Sequence, residues 1–205
     1  LPSTYDIGQE MFRWEVATAA AGAALGIHPF NQPDVQLAKD LARKAMAKSG
    51  GGGEGSPVVP LDDVRAAAKT FFATARAGDY VSIHAYLAPS ADTTAALQAL
   101  RGNMRNRLRV ATTLGYGPRF LHSTGQLHKG GANNGLFLQL VDEPSEDVPV
   151  PDTDFTFARL IKAQAEGDAE ALRQRGRRLL RVNVGKDGGA AAVRRLAEAI
   201  AEALR

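Results

Sequence analysis

The residues best suited to chemistry lie in one segment, residues 26–39. It combines a tight turn, the side-chain amide of Gln32 and a helix start at Pro33, the favoured first position of a helix. Lys39 follows nearly two turns into that helix. Because a helix N-terminus carries positive potential, a lysine held beside it suits the binding of an anion better than the neutralisation of an acid. On these residues alone, a solvated surface lysine is the simpler interpretation of Lys39.

A second polar segment, residues 122–131, contains three glycines that would let the backbone close on a ligand. Its polar side chains belong to His122, Ser123, Thr124, Gln126, His128 and Lys129. The segment follows a predicted strand, and open α/β sheets place their sites in such loops. It predicts a phosphate or carboxylate clamp, or alternatively a polar loop that orders itself or packs at a subunit or domain interface. Two histidines without a nearby carboxylate are a poor ligand set, so no metal site is predicted.

Several other residues that could do chemistry are predicted to be structural. His84 lies in an alternating segment, which favours a histidine of the sheet that is satisfied by a partner over a catalyst. Phe12 and Trp14 are predicted to be core residues. The arginines of residues 101–109 are predicted to form a solvated helix face. The glycines of residues 185–189 lack the full spacing of a phosphate-binding loop.

The elements that must position these residues alternate in type along the chain. Apolar residues at helical spacing predict helices over residues 8–26, 33–48, 61–76, 90–114, 155–164, 168–174 and 190–204. Short alternating or apolar segments predict strands over residues 79–87, 119–123, 135–141 and 178–184. This order predicts an α/β fold: an open, mostly parallel sheet flanked by helices, with a short helical N-terminal segment. The gap between residues 123 and 135 is too short for a helical crossover, so the strands beside it are expected to be antiparallel or non-adjacent.

A glycine-rich stretch marks a boundary in the chain. Its composition is that of a flexible coil. The sequence therefore predicts a helical segment over residues 1–48, a linker over 49–58 and an α/β domain over 59–205.

Composition narrows the class of protein. The chain has 205 residues, 44% of them hydrophobic, and no cysteine, which excludes disulfides, thiolate metal sites and a cysteine nucleophile. A net charge of +3 gives little support to a nucleic-acid partner. No segment approaches the ~20 apolar residues of a membrane span, and the N-terminus lacks a signal-peptide layout. We therefore expect a cytoplasmic protein without a membrane partner, and the start at Leu1 suggests a piece of a longer polypeptide.

Residues 26–39 closely resemble the C-terminal signature of glucose-6-phosphate isomerases, a Phe-Asp-Gln turn followed by a valine and a helical lysine. The matching residues are Phe30, Asn31, Gln32, Val35 and Lys39. Residues 8–15 and the alanine-rich helix after them resemble the last core helix of the same family. Residues 117–131 and 155–164 resemble the C-terminal extension of its bifunctional transaldolase/glucose-6-phosphate isomerase members.

This resemblance implies a sugar-isomerase, flavodoxin-like fold and the interconversion of glucose 6-phosphate and fructose 6-phosphate in glycolysis and gluconeogenesis, with no cofactor. It makes Lys39 the active-site lysine that helps open the sugar ring, and it places the Gln32 amide close to the substrate. Asn31 replaces the usual acid, and His28 stands where asparagine is common.

The glutamate base and the phosphate-binding serine/threonine loop of that family lie in a region that this sequence does not contain. The resemblance therefore implies an active site that is incomplete in this chain. The implied partners are a sugar phosphate, the missing upstream isomerase and transaldolase domains, and potentially further copies of the chain. The alternative is a non-catalytic sugar-phosphate-binding or assembly module.

Overall fold

A computed structural model describes residues 3–47 and 57–205 of the chain. They fall into two compact units, residues 1–33 and residues 34–205. The division lies at the start of the helix that carries Lys39, so nearly all of that helix belongs to the larger unit. Residues 49–56 of the predicted linker lie outside the described residues.

The smaller unit is built on one long helix, α1 (Asp6–Leu25). It ends at Gly26, whose left-handed backbone (φ 67°) turns the chain back, so that Pro29 packs on Gly22. The prediction that Phe12 and Trp14 are core residues is wrong, since they are 64% and 71% exposed. Most of α1 is exposed, since residues 11–21 all have exposed side chains.

The larger unit confirms the predicted fold class, an open parallel sheet flanked by helices. Its strands are β1 (Val59–Pro60), β2 (Tyr80–Tyr86), β3 (Ala111–Tyr116), β4 (Gly135–Glu143) and β5 (Arg178–Lys186), in the order β1-β5-β4-β2-β3. Every pairing between neighbouring strands is parallel. Its helices are α2 (Pro33–Ala47), α3 (Val64–Phe72), α4 (Ala91–Leu108), α5 (Gly125–Gly130), α6 (Phe157–Gln174) and α7 (Ala190–Ala203).

The two faces of the sheet differ in chemistry. Val81, Ile83 and Ala85 of β2 are buried in an apolar core together with residues of α3, α4 and α7. Because side chains alternate along a strand, Ser82 and His84 point to the opposite face, where α5 and α6 pack. The sheet is therefore apolar on one face and partly polar on the other, although both faces are covered.

Two predicted elements around β3 are wrong. The predicted helix over residues 90–114 ends at Leu108, because Arg109 takes a left-handed conformation (φ 55°), and β3 follows at once. The predicted strand over residues 119–123 is a 3₁₀ turn, Arg119–His122. Phe120 in this turn packs on Gly115, where an added Cβ would lie 2.6 Å from the Phe120 Cβ. β3 and β4 are parallel but not adjacent, since β2 lies between them.

Helix α6 is continuous where two shorter helices were predicted on either side of residue 167. Gly167 lies inside it, and a Cβ there would come within 2.7 Å of the Ala38 carbonyl oxygen and the Ala42 nitrogen of α2. The glycine is therefore a contact point between two helices. Among residues 3–47 and 57–205, no helix combines the length and apolar character that a membrane span requires.

Candidate functional site

The helix that carries Lys39 is fixed at its first turn by a buried carboxylate. Asp34 accepts hydrogen bonds from Gln126 Nε2 (2.7 Å) and from Arg175 Nε (2.6 Å), and its own backbone N–H donates to Gln126 Oε1 (3.0 Å). Together with the close approach at Gly167, these bonds hold α2 against α5 and α6. The position of Lys39 is therefore set by long-range contacts of its helix with α5 and with the helix α6 and the residue that follows it.

Lys39 lines a cavity of about 790 Å³, here called the Lys39 cavity. Its walls come from α2, the turn before α5, and the start of α6; the lining residues used below are Lys39, Arg43, His122, Lys129, Asp154 and Arg159. Arg159 donates to the Met46 carbonyl (2.8 Å) and Arg43 pairs with Asp40 (3.4 Å). Within the described residues Lys39 forms no ion pair, so its ammonium is free for a ligand.

A buried group of ionisable side chains lies behind this cavity. Lys129 Nζ is 2.5 Å from Asp168 Oδ1, and His84 Nδ1 is 3.5 Å from Asp168 Oδ2. The His84 and His128 rings stack with their centres 4.8 Å apart. All four side chains are buried, and we call them the buried cluster. It joins β2, α5 and α6 on the polar face of the sheet.

The charge state of the buried cluster follows from its surroundings. Burial lowers the pKa of His84, and burial together with the neighbouring His84 lowers the pKa of His128 to about 3, so both rings are neutral at pH 7. Burial alone would raise the pKa of Asp168, but the Lys129 ammonium and the His84 ring outweigh it and lower that pKa to about 2. The cluster therefore holds one ion pair and two neutral imidazoles.

His84 of the buried cluster also belongs to a row of four residues that crosses the sheet. Gly115, His84, Gln139 and Arg181 stand side by side on four adjacent strands. Gln139 accepts a hydrogen bond from Arg181 Nε (2.6 Å) and donates one to the Ala165 carbonyl of α6 (3.0 Å). These bonds keep a buried amide satisfied, which stabilises the polar side of the sheet.

A second cavity, of about 530 Å³, lies beside the edge strand β3 and is called the β3 cavity. Its polar lining includes Ser82, His84, Thr113, Arg119, Ser123, Thr124 and His128. The buried cluster thus contributes Lys129 to the wall of one cavity and its two histidines to the wall of the other.

The structure distributes the predicted polar segment between these cavities. His122 and Lys129 line the Lys39 cavity, whereas Ser123, Thr124 and His128 line the β3 cavity. Gln126 lines neither, because it is hydrogen-bonded to Asp34. The segment follows the 3₁₀ turn, not a strand as predicted. Gln32 is exposed in the smaller unit.

Asp168, the centre of the buried cluster, was not identified from the sequence. It sits among small residues, Ala165, Gly167 and Ala169, all of them buried in α6. The local sequence does not single it out, because Glu166 and Glu170 stand two residues to either side of it. The partners themselves lie on other elements and are not encoded locally.

The comparisons with known proteins support the fold. No family model matches the sequence, and no curated protein matches it. Among solved structures, a hypothetical protein, TT0462 from Thermus thermophilus, is similar with a TM-score of 0.58 and 17% sequence identity. That match covers 85% of this chain and 44% of the other. The class defined here is thus an open parallel α/β protein with two cavities beside a buried Lys–Asp–His cluster.

Proposed function

We propose that this chain is the C-terminal part of an aldose–ketose isomerase that interconverts glucose 6-phosphate and fructose 6-phosphate. In this proposal the Lys39 cavity receives the sugar phosphate. The observation that carries it is the position of Lys39: the lysine that resembles the family's ring-opening residue lines a large cavity and has no ion-pair partner among the described residues. A volume of about 790 Å³ lies within the range of ligand pockets.

The charge of the cavity favours an anionic ligand. Lys39 and Arg159 contribute two cations that form no ion pair among the described residues, against the single exposed carboxylate of Asp154. Arg43 is paired with Asp40 and Lys129 with Asp168, so these two cations add little net charge. A phosphate placed near Lys39 would therefore be attracted mainly by Lys39 and Arg159.

The isomerisation moves a proton between two adjacent carbons, which requires a carboxylate base with a pKa suited to the task. Asp168 is a poor candidate, because its pKa is lowered and it is bound to Lys129. Lys39 would bind and polarise the sugar oxygen while a glutamate from an upstream region moves the proton. Among the described residues, Asp154 is the one carboxylate in the wall of the Lys39 cavity, and it is exposed, which equally favours the alternative, a sugar-phosphate-binding module. The proposal includes a cytoplasmic location and leaves open whether copies of the chain associate.

Calorimetric titration of the chain with fructose 6-phosphate tests the proposal. We expect saturable binding that Lys39→Gln weakens by about tenfold or more, because a charge-assisted hydrogen bond to the phosphate or sugar is lost. Lys44→Gln is the matched control, since Lys44 lies on the same helix but does not line the cavity. Equal effects of the two substitutions, or no binding, would contradict the assignment.

A coupled isomerase assay tests the catalytic part. The chain alone should be inactive, and activity should appear when the upstream isomerase region is supplied. If that restored activity is unchanged by Lys39→Ala, Lys39 does not have the role proposed for it.

A further inference from the structure

The proposed function does not use the β3 cavity, although this cavity has the composition of a binding site. Its polar lining combines hydroxyls, two imidazoles and one guanidinium, while Pro89, Leu114 and Phe120 supply apolar surface. The cavity is open enough to admit a small molecule, at about 530 Å³. The kind of ligand that it could bind follows from which of its polar atoms already have hydrogen-bond partners and which do not.

Three hydroxyl groups of the wall already donate hydrogen bonds to other atoms of the protein. Thr113 Oγ1 donates to Ser82 Oγ (2.9 Å), and the hydroxyls of Ser123 and Thr124 both donate to the Phe120 carbonyl (3.0 and 3.3 Å). Each of these oxygens keeps lone pairs that can accept a further hydrogen bond. The wall is therefore rich in acceptors, which suits a ligand with several hydroxyl donors.

The two histidines provide the independent sign of a ligand. His84 Nε2 and His128 Nδ1 are buried and have no hydrogen-bond partner among the described residues, while both side chains line the cavity. Buried polar atoms in folded proteins nearly always have a partner. A neutral imidazole offers one donor and one acceptor, so these atoms can meet a hydroxyl group of a ligand.

Arg119 carries the single formal charge of the lining. It is exposed, and it forms no ion pair with any residue in the described part of the chain. A guanidinium binds phosphate and carboxylate groups through paired N–H donors. An anionic group at Arg119 would leave the rest of a ligand facing the hydroxyls and imidazoles.

We propose that the β3 cavity is a second binding site, for a small polyol that carries one anionic group, a phosphate or a carboxylate. Arg119 binds the anionic group, and Thr113, Ser123 and the two histidines bind the hydroxyls. The apolar side of the cavity contacts the carbon skeleton. This site does not depend on the function proposed for the Lys39 cavity.

Amide NMR of the isotope-labelled chain, with assigned resonances, tests this site. The probes are glucose 6-phosphate, gluconate, inorganic phosphate and sorbitol, which separate the phosphate, carboxylate and polyol contributions. We expect at least one of the first two to shift the amides of Gly115, Ser123 and Thr124. Its affinity should exceed that of inorganic phosphate or sorbitol by about tenfold or more, because both recognition elements act together.

Two substitutions make the test specific. Arg119→Gln should weaken binding at those amides about tenfold or more, and Thr113→Val, which is nearly isosteric, should weaken it about two- to tenfold. The spectrum of each variant also reports whether it is folded. Lys44→Gln is the control, since Lys44 is exposed, lines neither cavity and should leave these affinities unchanged.

Three results would overturn the proposal. The first is no shift at these amides with any probe at about 10 mM, a concentration at which a millimolar ligand is mostly bound. The second is an affinity for glucose 6-phosphate or gluconate that Arg119→Gln leaves unchanged. The third is inorganic phosphate or sorbitol binding as tightly as whichever of glucose 6-phosphate and gluconate binds more tightly. Shifts confined to the amides of Ala38, Lys39 and Ala42 would support the Lys39 cavity and reject the β3 site, so the two proposals can fail separately.

Discussion

At the scale of single residues, the ion pair between Lys129 and Asp168 is the most demanding feature of the molecule. Both side chains are at most 1% exposed, so each charge depends on the other for compensation. Removing a charge from water is expensive, and an unpaired buried charge is more so. The pair is therefore a poor source of stability but a strong constraint on where α5 and α6 can lie.

Asp168→Asn should lower the free energy of unfolding by about 3–5 kcal/mol, because it leaves the Lys129 ammonium buried without its counter-charge. Urea unfolding followed by circular dichroism measures this. Adding Lys129→Met to Asp168→Asn should recover much of the loss, since no buried charge then remains. Asp154→Asn, at an exposed carboxylate, is the control and should change stability by less than about 0.5 kcal/mol. A loss no larger for Asp168→Asn than for Asp154→Asn would contradict the buried pair.

This cluster also shows what the sequence could not predict. His84 was expected to have a partner, but the sequence did not indicate which one: its Nδ1 lies 3.5 Å from Asp168 Oδ2 on helix α6. The residues that form the cluster lie on three elements far apart in the chain. A pairing of this kind depends on how helices pack on the sheet, and no local pattern encodes it. His128 and Lys129 were predicted as candidate site residues. The sequence did not predict that they would line two different cavities.

At the scale of elements, the contact between α2 and α6 positions Lys39. The helices approach so closely at Gly167 that backbone atoms of Ala38 and Ala42 occupy the space of a side chain. Because α2 has no strand to anchor it, this contact and the bonds to Asp34 fix its place. A substitution at Gly167 should therefore displace α2 and change the shape of the Lys39 cavity.

Gly167→Ala should destabilise the protein by about 1–3 kcal/mol, because the new methyl group meets backbone atoms that cannot move separately. It should also weaken fructose 6-phosphate binding by displacing Lys39. Intrinsic helix propensity alone would give the opposite sign, a gain of about 1 kcal/mol. Gly102→Ala in α4 is the matched control: nothing lies within 4 Å of its Cβ position, so it should stabilise the protein. Thermal unfolding of both variants measures these changes in stability. If both substitutions stabilise the protein by similar amounts, the close contact at Gly167 is ruled out.

The strength of its local sequence pattern determines whether an element could be predicted. The apolar strands β4 and β5 and the helix α7 were predicted close to their observed bounds, because their burial patterns are strong and their ends are marked by turns. Strand β3 was missed, because the helix before it stops at Arg109 in a left-handed conformation that glycine usually provides. Residues 119–123 were predicted as a strand because they are partly apolar. Their conformation depends instead on Phe120 packing over Gly115, a contact with another element.

At the scale of the whole molecule, the two faces of the sheet respond differently to pH. The core on the face with α3, α4 and α7 is apolar, and the half-buried carboxyl group of Asp142 lies at its edge, close to the core residues Leu87 and Val184. The opposite face holds two histidines whose rings are neutral at pH 7 because burial lowers the pKa of each. Acid should therefore destabilise the fold mainly through the two histidines on the face that carries both cavities, while Asp142 opposes this effect.

The sign of the effect follows from proton binding. In the unfolded chain a histidine has a pKa of about 6.5, so below that pH the unfolded state binds more protons than the folded state and stability falls. For His128 this continues down to its folded pKa of about 3. Asp142 acts in the opposite sense between about pH 4 and 6, because burial raises its folded pKa to about 6 and its contribution is lost as pH rises through that value. Asp168, with a lowered pKa, adds to the loss only below about pH 4.

Urea unfolding between pH 7.5 and 4.5 should therefore show stability falling from about pH 6.5 downward, at up to about 1.4 kcal/mol per pH unit for each neutral histidine, less the opposing effect of Asp142. His128→Gln should reduce this slope by about one proton, whatever it does to stability at pH 7.5. Asp142→Asn should make the slope steeper between about pH 4 and 6, because the opposing group is gone. His122→Gln is the matched control, since His122 is exposed and should leave the slope unchanged. A slope that His128→Gln and His122→Gln alter equally would mean that the buried imidazoles do not govern the acid response of the fold.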